Sequence, residues 1–255
     1  MTKRSSTGIS HIAIDGYEIK GVLTEFDESK TARLSRTDVL GGAWEQTGFP
    51  HKREAEITLK GFYDTTAWDM AQAIVTSGPG VERILTYTIG GTSVGDEFVG
   101  WNGVIQADYK ANAAVGTLTK GEANYKSNGP VDVGKIVHLD VVQGSGNSTA
   151  TPLDNTVSTT GGVGYWTFWT VAAGNDSKMS MRTLHSSDGI TWATLLQSGS
   201  STADHYAERM VTTAVVERYL AAQWFFVGGG SSATVLTNTV LGFSRQPTST
   251  PSTKP

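Results

Sequence analysis

The chain of 255 residues carries 20 Lys and Arg against 24 Asp and Glu, a net charge of −4, and 17% of its residues are charged, below the roughly 25% of an average globular domain. It has no cysteine, which excludes disulfides, a thiol nucleophile and any Cys-ligated zinc or iron–sulfur centre. With 34 Thr, 30 Gly and 38% hydrophobic residues, the composition suits a packed all-β chain and shows none of the basic excess of nucleic-acid or anionic-membrane binders.

Met1–Ser10 is polar and lacks an apolar run behind Lys3 and Arg4, so no secretory leader is expected. Nor does any run approach the ~18 apolar residues of a membrane-spanning helix. Ser10–Ile14 reads as a strand entering an Asp15-Gly16 turn, a dipeptide that tolerates the positive φ angles of a tight hairpin. From Glu25 to Arg53 the sequence is polar with alternating charges and few strand signals, the pattern of a long loop. Leu34, Val39, Leu40, Trp44 and Phe49 interrupt it. Such a stretch is either a solvated loop or one that docks these side chains on a partner subunit. Ala55, Ile57 and Leu59 then alternate with Glu56, Thr58 and Lys60, the period-2 pattern of a strand with one wet face. Trp68, Ala71 and Val75 sit at helical spacing, with Asp64 or Thr65 to cap and Gly78-Pro79-Gly80 to stop a helix over Thr65–Val75. Val81–Ile89, Gly100–Ala111 and Gly116–Tyr125 read as further strands.

Charge density divides the chain. Residues 1–140 hold 32 charges and residues 141–255 only 12. Between them lies the Gly/Ser/Thr stretch 144–151, which reads as a flexible linker. The expected organisation is therefore a first β-sandwich or barrel domain with one short helix over 1–143, then the linker, then a second β-sandwich over 152–245. The Pro/Ser/Thr-rich stretch 246–255 reads as a flexible tail. In the second half Val163–Ala172 and Tyr219–Val227 are apolar on both faces. Such strands are sandwiched between layers or carry a binding face. Tyr165, Trp166 and Trp169 are the candidates for stacking on a glycan, with core packing as the competing reading. Lys178–His185, Ile190–Leu196, Ala207–Val216 and Thr234–Phe243 complete the strands, and none of the seven prolines interrupts one.

Catalytic patterns are weak. Gly91-Thr92-Ser93-Val94-Gly95 matches a nucleophile elbow, with Asp108 and His138 in the order a triad would need, but no strand-to-helix turn surrounds it. Ser186-Ser187-Asp188-Gly189-Ile190-Thr191-Trp192 resembles the Asp-box hairpin of sialidase-like propellers with one residue deleted, a motif that braces a turn. The five histidines show no metal-binding spacing, and no phosphate-binding glycine motif is present. The expectation is a protein that is not an enzyme and takes no cofactor and no metal.

The order of features resembles a long-tailed bacteriophage (siphophage) major tail tube protein. HIAIDGYEI comes first, then GVLTEFD opening the long polar stretch, then HKREAEITLKGFYD running into the helix. MSMRTLHSSDGITWATL, VVERYLAAQWFFVG and VLGFSR are similar to the β-sandwich that many such proteins carry after the tube domain. The resemblance implies a virion structural protein, assembled in the host cytoplasm into hexameric rings that stack into a tube. It implies a homo-oligomer with tape-measure and tail-terminator or tip proteins as partners, DNA only in transit through the lumen, and no membrane. It places the inter-ring contact on roughly Glu25–Arg53. A glycan-binding β-sandwich module without polymerisation is the alternative.

Overall fold

Gly-rich turns between runs of Val, Ile, Thr and aromatic residues give strands and little else. The computed structural model describes residues 8–19, 23–37, 46–62, 80–112, 120–143, 145–170, 178–201, 205–227 and 236–245. Outside this set fall the expected helix Thr65–Val75, the tail 246–255, and Val39, Leu40 and Trp44, as do the side chains of Leu34 and Phe49. The fold is all-β. The chain divides into two compact units: Met1–Ser6, Val22–Glu82 and Gly103–Pro130 form the smaller, and Thr7–Gly21, Arg83–Asn102 and Val131–Pro255 the larger.

In chain order the strands are β1 (Ile9–Ile14), β2 (Tyr17–Glu18), β3 (Leu23–Thr37), β4 (Gln46–Phe62), β5 (Glu82–Ile89), β6 (Glu97–Asn112), β7 (Lys120–Ser127) and β8 (Val131–Gln143). After them come β9 (Gly146–Asn147), β10 (Leu153–Asp154), β11 (Thr159–Thr170), β12 (Lys178–Ser186), β13 (Ala193–Gln197), β14 (His205–Val216), β15 (Tyr219–Val227) and β16 (Leu236–Arg245).

The smaller unit is an antiparallel set in the order β3, β4, β7 and the second half of β6. The alternation read at 55–60 holds, with Ile57 and Leu59 buried beside Phe26, Ala123 and Tyr125. The polar stretch before it is not a loop. It pairs as the two arms of a long hairpin, from Leu23 opposite Gly61 to Thr37 opposite Gln46. Pro50 therefore lies inside a strand, contrary to the expectation that prolines lie outside. It is tolerated because the register slips around Leu34, which faces it, and because the β4–β7 pairing runs only over 56–62, so no neighbour asks Pro50 for an N–H.

In the larger unit a sheet runs β14, β11, β16, β8, the first part of β6, β5, β1 and β2. It rolls until its ends meet. The Asp15-Gly16 turn has φ angles of 49° and 89°, and a side chain on Gly16 would meet the Tyr206 backbone at 2.7 Å and the Phe168 carbonyl at 2.8 Å. Tyr17 of β2 lies 3.6 Å from the His205 ring of β14. A second sheet, in the order β10, β15, β12 and β13 with β9 beside β15, covers one face. Trp166 and Phe168 of β11 meet Met179, Met181, Leu220 and Ala222 of that sheet. On the opposite face of β11, Val163 and Tyr165 pack with Phe98, Ile136 and Val240 inside the roll. Contact is close enough there that a side chain on Gly242 would run into the Phe98 ring.

The division into units does not follow the expected boundary at 144–151. Strand β8 pairs from Lys135 to Gln143 with the C-terminal strand β16, so residues on both sides of that stretch share one sheet. Its described part, 145–151, is also tied down. Asn147 pairs with Gln223, the buried Ser148 exchanges hydrogen bonds with Ala222, and Ser145 Oγ accepts from the Phe226 N–H.

Candidate functional site

In the smaller unit the β3–β4 hairpin carries the segment expected to contact a partner. Near its base, Lys60 Nζ lies 3.1 Å from Glu25 Oε1 and Thr58 Oγ1 donates to Asn124 Oδ1 at 2.8 Å. From Gln46 to Ala55, β4 pairs with β3 alone, and β3 has no second neighbour among the described residues. This half of the hairpin is a two-stranded ribbon. Leu34 and Phe49 lie in it by backbone position, Leu34 registered opposite Pro50.

In the larger unit the three aromatic candidates part company. Trp166 is fully buried between the two sheets and Tyr165 is buried inside the roll, so neither can face a glycan. Trp169 is half-buried. The alternation of β11 allowed either a binding face or two buried faces, and a second sheet over one side with the roll on the other gives two buried faces.

Tyr165 is also part of a polar tie that local sequence could not reveal, because its members lie far apart in the chain. Tyr165 Oη donates to Asp132 Oδ2 at 2.7 Å, while Arg209 Nε lies 3.0 Å from the same oxygen and 3.1 Å from Tyr165 Oη. Burial and the Asp132 carboxylate push the Tyr165 phenol far above its ordinary value, so it stays a donor. The tie links β8, β11 and β14.

His138 of β8 stacks on Trp224 of β15, ring centres 4.7 Å apart at 24°. Burial lowers its pKa, opposed by Asp140. The Gly91–Gly95 motif lies in the turn between β5 and β6, where Ser93 N–H donates to Asp96 Oδ2 at 2.9 Å. It thus joins strand to strand, whereas an elbow joins strand to helix. The Asp188 turn is braced as the Asp-box resemblance implies. Asp188 Oδ1 accepts from Ser186 Oγ and from the Ile190 and Thr191 N–H groups, each at 2.8 Å, and these donors hold the carboxyl well below its usual range. Among the described residues no group of three or more His, Asp or Glu gathers as a metal ligand set.

No protein-family model and no curated protein matches the sequence. Among solved structures, the chain is similar to a component of the virion of a native gene transfer agent particle, with 16% identity over 50% of this chain and 96% of that one and a TM-score of 0.41. A component of the tail of an empty gene transfer agent particle, a C6-symmetric assembly, matches at 14% identity over 43% and 80%, with a TM-score of 0.36. The SPP1 Dit protein, described as a paradigm of the hub adsorption apparatus of phages infecting Gram-positive bacteria, matches at 10% identity over 93% and 99%, with a TM-score of 0.35. All three TM-scores are too low to bear on what this chain does.

Proposed function

We propose that the chain is a structural subunit of a phage virion that assembles into stacked, hexameric rings forming the tail tube, and that it is not an enzyme. The observation that carries this reading is the two-stranded half of the β3–β4 hairpin. A hairpin with no third strand is marginal in water, and a strand with an unpaired edge is a template for another chain. The natural partner is a second copy. A heterologous contact that does not close on itself generates a filament, and the order of sequence features, similar to that of tail tube proteins, supplies the kind of filament. On this reading DNA passes through the lumen, and tape-measure and terminator proteins limit the tube.

Electron microscopy of the purified protein tests the reading. Rings or tubes of uniform width are expected, and a monomer persisting under all assembly conditions refutes it. Deleting Lys30–Gln46 removes most of the outer hairpin and spares the β4–β7 pairing. The shortened chain should fold and fail to elongate, and normal tubes from it would place the contact elsewhere.

A further inference from the structure

We propose that the outer face of the second sheet binds an anionic saccharide chain. The proposal concerns the larger unit alone and stands whether or not the chain polymerises.

Strand registers place Asn147, Gln223, Arg182 and Gln197 in one row across β9, β15, β12 and β13. All four share the face opposite Ala222 and Trp224, whose side chains join the core between the sheets. At the usual strand spacing the row spans about 14 Å. Phe225 lies one register step along the same face, two residues beyond Gln223.

The row is built to donate. Arg182 Nε is fixed on Gln197 Oε1 at 3.0 Å, and its guanidinium lies 4.6 Å over the Phe225 ring. The two Nη groups then point no hydrogen bond at any described residue, so a planar fork is held in place and left open. The Gln197 carbonyl is consumed by Arg182, and the Asn147 carbonyl by the Thr149 N–H and hydroxyl. The NH2 groups of both amides make no hydrogen bond to a described residue and can donate to a ligand. Lys178 lies on the same face of β12, four residues and about 13 Å from Arg182, and is exposed. No carboxylate stands in the row or in the Ser180–Phe225 pair beside it.

A flat surface offering two cations and several N–H donors calls for a ligand rich in acceptors. A saccharide bearing carboxylate or phosphate groups fits: its anionic group takes the Arg182 fork, its hydroxyls take the amides, and a second anionic group reaches Lys178. Two cations are too few for the backbone of a nucleic acid. On an open sheet face, affinity per site belongs in the millimolar range.

Titration of the full chain, followed by calorimetry or saturation-transfer NMR, uses four probes. They are a tetragalacturonate, an oligomeric glycosyl phosphate, a neutral tetragalactose and an oligothymidylate. One or both acidic saccharides should bind, separating carboxylate from phosphate as the anion. Arg182→Gln should weaken that binding about tenfold or more, and Arg182→Lys should fail to restore it because the fork is lost. Gln223→Ala, which removes no cross-strand hydrogen bond, should weaken it while leaving the melting temperature unchanged. Failure of both acidic saccharides to bind overturns the proposal. So does equal binding of the neutral saccharide or the oligothymidylate, or binding that survives Arg182→Gln and Gln223→Ala.

Discussion

Replacing Tyr165 by Phe removes one oxygen and leaves the ring that packs inside the roll. The lost oxygen donates to Asp132 at 2.7 Å and lies 3.1 Å from Arg209 Nε. Asp132 keeps Arg209 at 3.0 Å, and both side chains are only 18% exposed, so water replaces the missing donor poorly. A hydrogen bond to a charged group contributes about 1.5–3 kcal/mol, and the surviving Arg209 contact places the expected loss near the middle, about 2 kcal/mol. For a chain of this length that is a fall of about 4–8 °C in melting temperature, measurable by calorimetry. Combined with Arg209→Ala, the cycle should show a coupling of about 0.5–3 kcal/mol. Alkali adds a second signature. Because the folded state raises the Tyr165 pKa, the neutral phenol's contribution is intact below the ordinary tyrosine value near 10 and is lost as pH rises above it. Tyr165→Phe should flatten that part of the base limb. A variant within about 0.5 kcal/mol of the parent, with an unchanged base limb, would show that the tie contributes nothing beyond the ring.

At Gly16, Ala adopts its φ of 89° at a cost of roughly 1–2 kcal/mol from conformation alone, and its methyl would also displace the Tyr206 backbone. Gly16→Ala should therefore open the seam where the rolled sheet meets itself, seen as faster amide exchange in β1, β2 and β14; unchanged exchange would mean the seam does not depend on that approach. His138 faces Trp224 and feels Asp140, and burial lowers its pKa. Stability should be full above the ordinary histidine value near 6.5 and decline as pH falls through it toward the depressed folded value. His138→Phe should flatten the acid limb of a plot of melting temperature against pH, and an unaltered limb would assign acid lability elsewhere. Asp188→Ala removes the acceptor for three donors of the β12–β13 turn. The melting temperature should fall, and Asp188→Asn, which keeps a carbonyl acceptor without the charge, should retain part of the difference. An Asn variant as stable as the parent would show that the charge is not what braces the turn, and unchanged stability of Asp188→Ala would show that the bonds themselves do not.

The all-β character, most strand positions in the second half and the Asp15-Gly16 turn were legible in the sequence because each rests on local chemistry. Period-2 alternation at 55–60, positive φ at a Gly and the oxygen-rich Ser186–Asp188 turn depend on residues a few positions apart. The β3–β4 hairpin reads in sequence as a loop and pairs in the structure as two strands. Its charged, mixed pattern lacks the period-2 alternation by which a strand is read from sequence, and only the register of one arm on the other shows the pairing. At 145–148 the structure adds what composition leaves open, because Gly, Ser and Thr suit a flexible chain and a strand edge alike and only β15 alongside decides between them.

Over most of the second half, sequence by itself determined where the chain extends and where it turns, since backbone preference and side-chain alternation act over a few residues. Tertiary structure decided which strands share a sheet, and with that which aromatics are hidden. Tyr165 and Trp166 are equally apolar neighbours in the sequence, yet one enters the roll and the other the space between sheets because β16 and β14 flank β11 and a second sheet lies over it. Only the registers align Asn147, Gln223, Arg182 and Gln197 in one row, for pairing sets Asn147 beside Gln223, 76 positions away. Alternation says that a side chain has a face; the neighbouring strands say what that face meets.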